Sequence, residues 1–231
     1  MDTNKKYLRL FFDLDNTLTR SRTKITPEMK QLLGSLPFDI IVISGASVDQ
    51  LKYQVDGLSC YTLGQNGNHA VHGDLELWRD PLTPEEIREI EEHIASLPKL
   101  PEIPDIDDLI ENRGSQISYS IYGHHAPVAV KEKVDPDQAL RVGLLAQHPL
   151  ISDTIDVKIA GTTCLDYFKK GRNKGYNVTR LTEYMGWNLD TCLYFGDALF
   201  PGGNDETVIG VIDTESVRDP DDTYKKLELL K

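Results

Sequence analysis

The stretch Phe12-Asp13-Leu14-Asp15-Asn16-Thr17-Leu18-Thr19 places two carboxylates, two positions apart, directly after an apolar run at residues 7–12. That run has the length and β-forming side chains of a buried strand, and Asn-Thr is typical of a turn. Ligands of an open parallel sheet bind beyond the carboxyl ends of its strands. The two aspartates are therefore candidates for a nucleophile and an acid–base group. Alone, they are also explained as turn residues after an edge strand.

Further apolar runs at residues 39–43 and 191–195 alternate with helix starts at Thr26-Pro27, at Ser47 with Gln50 in capping-box spacing, and at Asp219-Pro220. Short apolar runs alternating with amphipathic helices predict a doubly wound α/β fold with a parallel sheet covered on both faces. We expect residues 1–78 and 169–231 to form this core.

The middle of the chain, residues 79–168, has a different pattern and predicts a smaller α+β insert. Thr83-Pro84-Glu85-Glu86 caps a helix whose apolar residues recur at helical spacing. Residues 116–121 alternate apolar and polar side chains as a strand does. Two further runs, at residues 155–160 and 165–168, complete a small set of strands.

Two motifs suit the binding of an anion. Ser44 follows the strand at residues 39–43 and precedes Gly45 and a new helix, and a hydroxyl, a glycine turn and a helix N-terminus together form an anion cradle. Lys174 lies at the start of another predicted helix, where an ammonium can hold a phosphoryl oxygen. A single lysine in such a place is more often an ordinary surface residue.

A glycine-rich segment near the C-terminus adds two more carboxylates. Asp197 stands at a strand end and Asp205 follows eight residues later, and oxygen ligands at such positions suit Mg²⁺. If they converge with Asp13 and Asp15, each pair of unit charges at about 4 Å costs about 4 kcal/mol at an effective dielectric of about 20. A divalent cation would reverse the sign of that interaction, so the clustering predicts a metal site.

Composition narrows the function classes. The net charge of −12, from 25 basic and 37 acidic side chains, argues against broad electrostatic binding to nucleic acid. No apolar run approaches the roughly 20 residues of a membrane span, and no secretory signal is visible in Met1-Asp2-Thr3-Asn4-Lys5-Lys6. Three widely spaced cysteines, Cys60, Cys164 and Cys192, form neither a disulfide framework nor a zinc pattern. We therefore expect a cytoplasmic protein with inert, buried thiols.

Taken in order, the four motifs resemble those of the haloacid dehalogenase superfamily of phosphotransferases. They span residues 12–205, and the insert resembles the type-two α/β cap of the subclass that holds sugar phosphatases and eukaryotic-type phosphomannomutases. The mutase resemblance is closer, since it includes Gln65-Asn66-Gly67, residues 110–113 and residues 201–205. It implies a doubly wound, Rossmann-like core with an inserted cap, a sugar-phosphate substrate and a homodimer through the cap.

The resemblance also implies roles for residues of the substrate site. In the family, an arginine at the place of Arg113 grips the distal phosphate of the sugar, and one at Arg22 also binds substrate. Ser120 and Asp166 match cap residues of the family, and His124 stands where the family has an arginine.

These observations lead to one mechanistic hypothesis with two outcomes. Asp13 attacks a phosphate monoester, Asp15 serves as acid and base, and Ser44 and Lys174 hold the transferring oxygens. Mg²⁺ would be bound by Asp13, the backbone carbonyl of Asp15 and Asp197, with Asp205 in support. Transfer to a sugar hydroxyl, with a hexose bisphosphate as activator, makes a phosphomannomutase-like enzyme, whereas transfer to water makes a sugar-phosphate phosphatase.

Two other classes fit the sequence less well. A receiver-type signalling domain would need neither an insert of this length nor a lysine followed by Gly-Asp. A silent sugar-phosphate binding protein would not need both Asp13 and Asp15.

Overall fold

The computed structural model describes residues 6–230, so the expectation that the N-terminal segment carries no secretory signal falls mostly on residues outside the described ones. The chain divides into two compact units, one made of residues up to Arg79 together with those from Arg172 onward, the other of Asp80–Gly171. The predicted limits of the insert were residues 79 and 168. Among the described residues, every helix is too short or too polar to cross a bilayer.

The first unit, called the core unit below, is a seven-stranded sheet with four helices. Its elements are β1 (Arg9–Phe12), α1 (Pro27–Ser35), β2 (Asp39–Ile43), α2 (Val48–Val55), β3 (Tyr61–Gly64), β4 (His69–His72), β5 (Leu75–Arg79), α6 (Lys174–Met185), β10 (Cys192–Gly196), β11 (Asp213–Ser216) and α7 (Pro220–Glu228). The strand order is β11-β10-β1-β2-β3-β4-β5, with parallel pairing from β11 to β3 and antiparallel pairing of β4 and β5.

Alternating side chains of the parallel strands bury both faces of this sheet. Leu10 and Phe12 of β1 pack with α1, α2 and α7, while Phe11 between them packs with α6 on the other face. The predicted doubly wound α/β core is therefore confirmed, and the antiparallel β4–β5 hairpin at one edge is an addition to it. Chain connections leave β1 toward β2 on one side and return to β10 on the other, so the carboxyl end of β1 lies at the switch point of the sheet.

Local helix starts follow the sequence signals with one difference. The Thr26 and Asp219 side chains cap α1 and α7, each with proline at the first turn. The Ser47 side chain accepts a hydrogen bond from the Gln50 backbone, as expected. The Gln50 side chain does not complete a capping box; it donates to Gln54 at 2.9 Å.

The second unit, called the insert unit, is a four-stranded antiparallel sheet of order β6-β7-β9-β8 with three helices. Its elements are α3 (Pro84–Ser96), β6 (Ile110–Asn112), β7 (Gln116–Ser120), α4 (Val128–Val134), α5 (Ala139–Gln147), β8 (Ile155–Ala160) and β9 (Cys164–Lys169). Ile117 and Tyr119 pack with apolar residues of α3 in one core. The alternate positions Gln116, Ser118 and Ser120 are polar, so the opposite face of this sheet carries hydrogen-bonding groups.

Candidate active site

Asp13 and Asp197 come together because β1 and β10 are adjacent parallel strands that end at the same edge. Phe12 pairs with Phe195, and the Asp13 N–H donates to the Phe195 carbonyl at 2.9 Å. Asp205 returns to this edge through a glycine-rich loop, and ligand oxygens of the three aspartates lie within 4.8 Å of one another. A Cβ on Gly196 would stand 2.4 Å from Asp205 Oδ2, so glycine is required there for the carboxylate to approach.

Burial and the repulsion between neighbouring carboxylates raise the pKa values of Asp13 and Asp197. Burial, with the charges of Asp205 and Asp197 added, raises the pKa of Asp13 well above its ordinary value, despite the opposing effect of Lys174. Burial and then Asp205 raise the pKa of Asp197 to about 6. Three converging carboxylates are hard oxygen donors of the kind Mg²⁺ prefers, and a cation among them would relieve this repulsion. The donor set therefore fits the predicted metal.

Lys174, the first residue of α6, supplies the positive charge of this group. Its side chain is fully buried, and Nζ donates to Asp13 Oδ1 at 2.5 Å and to Asp205 Oδ1 at 2.7 Å. Burial alone would lower the pKa of Lys174, but the two carboxylates outweigh it and raise that pKa. Lys174 is therefore not an ordinary surface lysine. It is buried and forms ion pairs with two of the predicted site aspartates, Asp13 and Asp205.

Asp15 lies outside the group of three carboxylates that could share an ion, and its side chain is held by other donors. Asp15 Oδ1 accepts from the Arg22 backbone N–H at 2.8 Å and from Gln54 Nε2 at 3.1 Å. Asn16 and Arg22 both have positive φ, which bends the loop after β1 back toward α2. The predicted metal contact through the Asp15 carbonyl stays a prediction.

Ser44 follows β2, as expected, and is buried. Its Oγ accepts from the Ala46 N–H at 3.2 Å, which forms a tight turn before α2. Its carbonyl accepts from the Asn66 N–H at 2.8 Å, in a turn where Gln65, Asn66 and Gly67 all have positive φ.

Asn177 of α6 holds that turn from the other side. Its Nδ2 donates to the Asn66 carbonyl at 2.9 Å and to Asn68 Oδ1 at 3.1 Å. The Ser44 turn and the helix that begins at Lys174 are therefore joined through one short chain of hydrogen bonds.

The predicted cap residues form a polar cluster within the insert unit. Arg113 donates to Glu111 at 2.5 Å, and the carboxylates of Asp166 and Glu111 raise its pKa although burial, the largest single influence, lowers it. Ser118 Oγ donates to Asp166 Oδ1 at 2.6 Å, and burial raises the pKa of Asp166.

Ser120 and His124 have local partners in the same unit. Ser120 Oγ accepts from the Gly123 N–H at 2.8 Å and lies 2.9 Å from Thr163 Oγ1. The His124 side chain is fully buried, with Nε2 3.0 Å from the Ser118 carbonyl and Nδ1 3.6 Å from Glu111 Oε2. The histidine therefore lies inside the polar cluster rather than on the surface.

Sequence reasoning missed three residues of the core site: Gln54, Asn177 and Tyr194. Tyr194 is buried in β10 and donates from Oη to Asp205 Oδ1 at 2.6 Å. Its position two residues before Gly196 on an apolar strand was the signal available, because a buried tyrosine usually directs its hydroxyl to a partner.

Comparisons with known proteins agree with this architecture. A family model for haloacid dehalogenase-like hydrolases matches residues 10–208. The chain is 28% identical to phosphomannomutase 1 of Dictyostelium discoideum, over 95% of this chain and 94% of that protein. It is also 28% identical to a phosphomannomutase of Encephalitozoon cuniculi, over 94% and 91%.

Two solved structures have the same fold. An IMP-nucleotidase of Plasmodium falciparum superposes with a TM-score of 0.68 at 16% identity, over 97% of this chain and 70% of that chain. A haloacid dehalogenase-like hydrolase of Bacteroides thetaiotaomicron superposes with a TM-score of 0.62 at 14% identity, over 98% and 100%.

Proposed function

Because the chain belongs to the family of haloacid dehalogenase-like hydrolases and is an enzyme of that family, we propose that it is a Mg²⁺-dependent phosphotransferase acting on a sugar phosphate. The reaction we favour is the phosphomannomutase type, the interconversion of mannose 1-phosphate and mannose 6-phosphate. The nearly full-length similarity to phosphomannomutases supports this choice. The observation that carries the chemistry is the buried Lys174 bridge between Asp13 and Asp205.

Asp13 is the nucleophile in this proposal. One of its oxygens forms a bond to phosphorus while the bond from phosphorus to the sugar oxygen breaks, which leaves an aspartyl-phosphate. Lys174 at 2.5 Å stabilises the ionised carboxylate that this attack requires. The hydrogen bond from the Asp13 N–H to Phe195 fixes the backbone from which the carboxylate projects.

Asp15 is the acid and then the base. It donates a proton to the departing sugar oxygen in the first step and takes a proton from the acceptor hydroxyl in the second. Ser44, with the N–H groups of its turn, and Lys174 hold oxygens of the transferring group.

The metal would be held by Asp13 and Asp197, together with the Asp15 carbonyl and with Asp205 in support. When bound, Mg²⁺ supplies charge neutralisation and Lewis-acid polarisation of the phosphoryl oxygens. The chain's own contribution is to keep three carboxylates within 4.8 Å of one another despite their repulsion.

The insert unit supplies specificity in this proposal. We assign it the role of a lid over the sugar, with Arg113, Asp166, Ser120 and His124 in its polar cluster and Arg22 from the core unit as substrate residues. A hexose bisphosphate activator and a homodimer through the insert belong to the same hypothesis.

The alternative is a sugar-phosphate phosphatase, in which water is the acceptor. The family model that matches the chain describes hydrolases, which favours keeping this alternative.

Phosphorus NMR with mannose 1-phosphate and Mg²⁺, with and without a hexose bisphosphate, separates these outcomes. Appearance of mannose 6-phosphate supports the mutase, and inorganic phosphate alone selects the phosphatase. The matched control is Asp13→Asn, which should show neither product. Turnover by that variant at the wild-type rate would contradict the nucleophile assignment. A wild-type chain that converts neither mannose 1-phosphate nor p-nitrophenyl phosphate would overturn the proposed function.

A further inference from the structure

Gln54 has a buried side-chain amide next to Asp15, the proposed acid–base residue, and both the nitrogen and the oxygen of this amide form hydrogen bonds. Its side chain lies in α2 with none of its surface exposed. Nε2 donates to Asp15 Oδ1 at 3.1 Å and to Thr19 Oγ1 at 3.0 Å. Oε1 accepts from Gln50 Nε2 at 2.9 Å, and this bond orients the amide because a 180° turn would set Nε2 against Gln50 Nε2 and Oε1 against Asp15 Oδ1.

The same residue also anchors the loop through its backbone. The Ile25 N–H donates to the Gln54 carbonyl at 2.7 Å, just before α1 begins. The loop between β1 and α1 is thus tied to α2 at Asp15, Thr19 and Ile25 by a single residue.

Two donors converge on one oxygen of the Asp15 carboxyl. Gln54 Nε2 and the Arg22 N–H both donate to Oδ1. A proton on Oδ1 would face two N–H groups, so the proton of the neutral acid is confined to Oδ2. A carboxyl group that gives up its proton from one fixed oxygen is oriented for transfer, and small errors in such an orientation are costly for catalysis.

We propose that Gln54 is the positioning residue of the general acid, fixing the Asp15 carboxyl so that its proton is delivered from Oδ2 to the leaving oxygen. This inference rests on the proposed function, because it takes Asp15 as the acid. Gln54 itself touches neither the reacting phosphorus nor the leaving oxygen in this account. Its effect passes entirely through Asp15.

The test compares two leaving groups. The sugar oxygen of mannose 1-phosphate is a poor leaving group that needs a proton, whereas the phenolate of p-nitrophenyl phosphate departs with little help from an acid. We expect Gln54→Met to lower kcat/KM for mannose 1-phosphate about 10- to 100-fold, the scale of a misplaced catalytic group. The same variant should lower kcat/KM for p-nitrophenyl phosphate less than about threefold, because no comparable proton transfer is required.

Three controls keep the result interpretable. Gln54→Glu retains the size of the side chain but presents an oxygen to Asp15 in place of Nε2, so it should show the same selective loss. Lys52→Met, at an exposed position of the same helix, should leave both values close to wild type. Melting curves establish that each variant is folded.

Equal losses with both substrates in Gln54→Met and Gln54→Glu would overturn the inference and assign Gln54 a purely structural part in holding the loop. Wild-type values for both substrates would overturn it as well. Failure of the proposed function is distinguishable, because the wild-type chain would then turn over neither substrate.

Discussion

Replacing Lys174 by methionine tests the electrostatic design of the site directly. The substitution retains most of the length of the side chain and removes the ammonium that donates to Asp13 at 2.5 Å and to Asp205 at 2.7 Å. The variant leaves the three carboxylates without their cation, with Asp13 and Asp205 buried and Asp197 half-buried.

The expected cost follows from the number of charge pairs lost. At 2.5 and 2.7 Å and an effective dielectric of about 20, the two lost pairs are worth about 6–7 kcal/mol each, which sets an upper limit of about 13 kcal/mol. Proton uptake by the carboxylates and entry of water reduce this toward the about 3–5 kcal/mol observed when one partner of a buried ion pair is removed. For a chain of this size, that loss corresponds to a melting temperature lower by about 6–20 °C.

The assay is thermal unfolding in EDTA and again in excess Mg²⁺. We expect the deficit of Lys174→Met to be largest in EDTA and to shrink in Mg²⁺, since a bound cation replaces part of the lost neutralisation. Lys52→Met, at an exposed position of α2, is the matched control and should melt as wild type does. A Lys174→Met variant that melts within about 2 °C of wild type in EDTA would refute this reasoning.

Three further predictions concern the rest of the chain. Arg141→Met should lower the free energy of unfolding by about 3–5 kcal/mol, measured by thermal melting, because the buried Arg141 donates to Asp135 at 2.6 Å and to the Ala160 carbonyl at 2.7 Å. Asn177→Leu should cost about 1–3 kcal/mol through carbonyl and amide oxygens left without their donor, and should lower kcat because it uncouples the Ser44 turn from α6. Burial raises the pKa of the Cys60 thiol to about 12, so a disulfide reagent at pH 8 should label it only after denaturation, as mass spectrometry would show.

The parts of the fold that the sequence predicts are those with a strong local pattern. The apolar runs before Asp13 and Asp197 mark two strands whose ends carry the candidate site, and their adjacency in a parallel sheet brings the aspartates together. β11 has the polar sequence Asp-Thr-Glu-Ser and gives no apolar periodicity, so its place at the sheet edge comes from pairing with β10. The sequence also does not predict the antiparallel β4–β5 hairpin. The apolar pattern of a parallel core does not indicate which strands pair at the edge of the sheet.

The residues that support the site are harder to predict from the sequence, because each one is separated from its hydrogen-bond partner by many positions in the chain. Gln54 lies 39 positions from Asp15 and has the appearance of an ordinary polar helix residue. Asn177 lies more than a hundred positions from Asn66, and no motif joins them. Tertiary packing alone gives these amides their partners, whereas the proposed reacting groups are recognisable because each one follows a strand or opens a helix.

The charge balance of the core site explains why its residues need to be held in place by neighbouring side chains such as the amide of Asn177. With all three carboxylates ionised, the group and its one ammonium would carry two negative charges, which a divalent cation would balance but a phosphate dianion would oppose. Under the proposed function, binding of substrate would therefore depend on the cation, on Lys174 and on the N–H groups of the Ser44 turn acting together. The strained turn at Gln65–Gly67 and the amide of Asn177 hold two of these three in register. In the proposed mechanism, the core unit carries the groups that break and form the phosphoryl bond, and those groups alone do not determine whether a sugar hydroxyl or water is the acceptor.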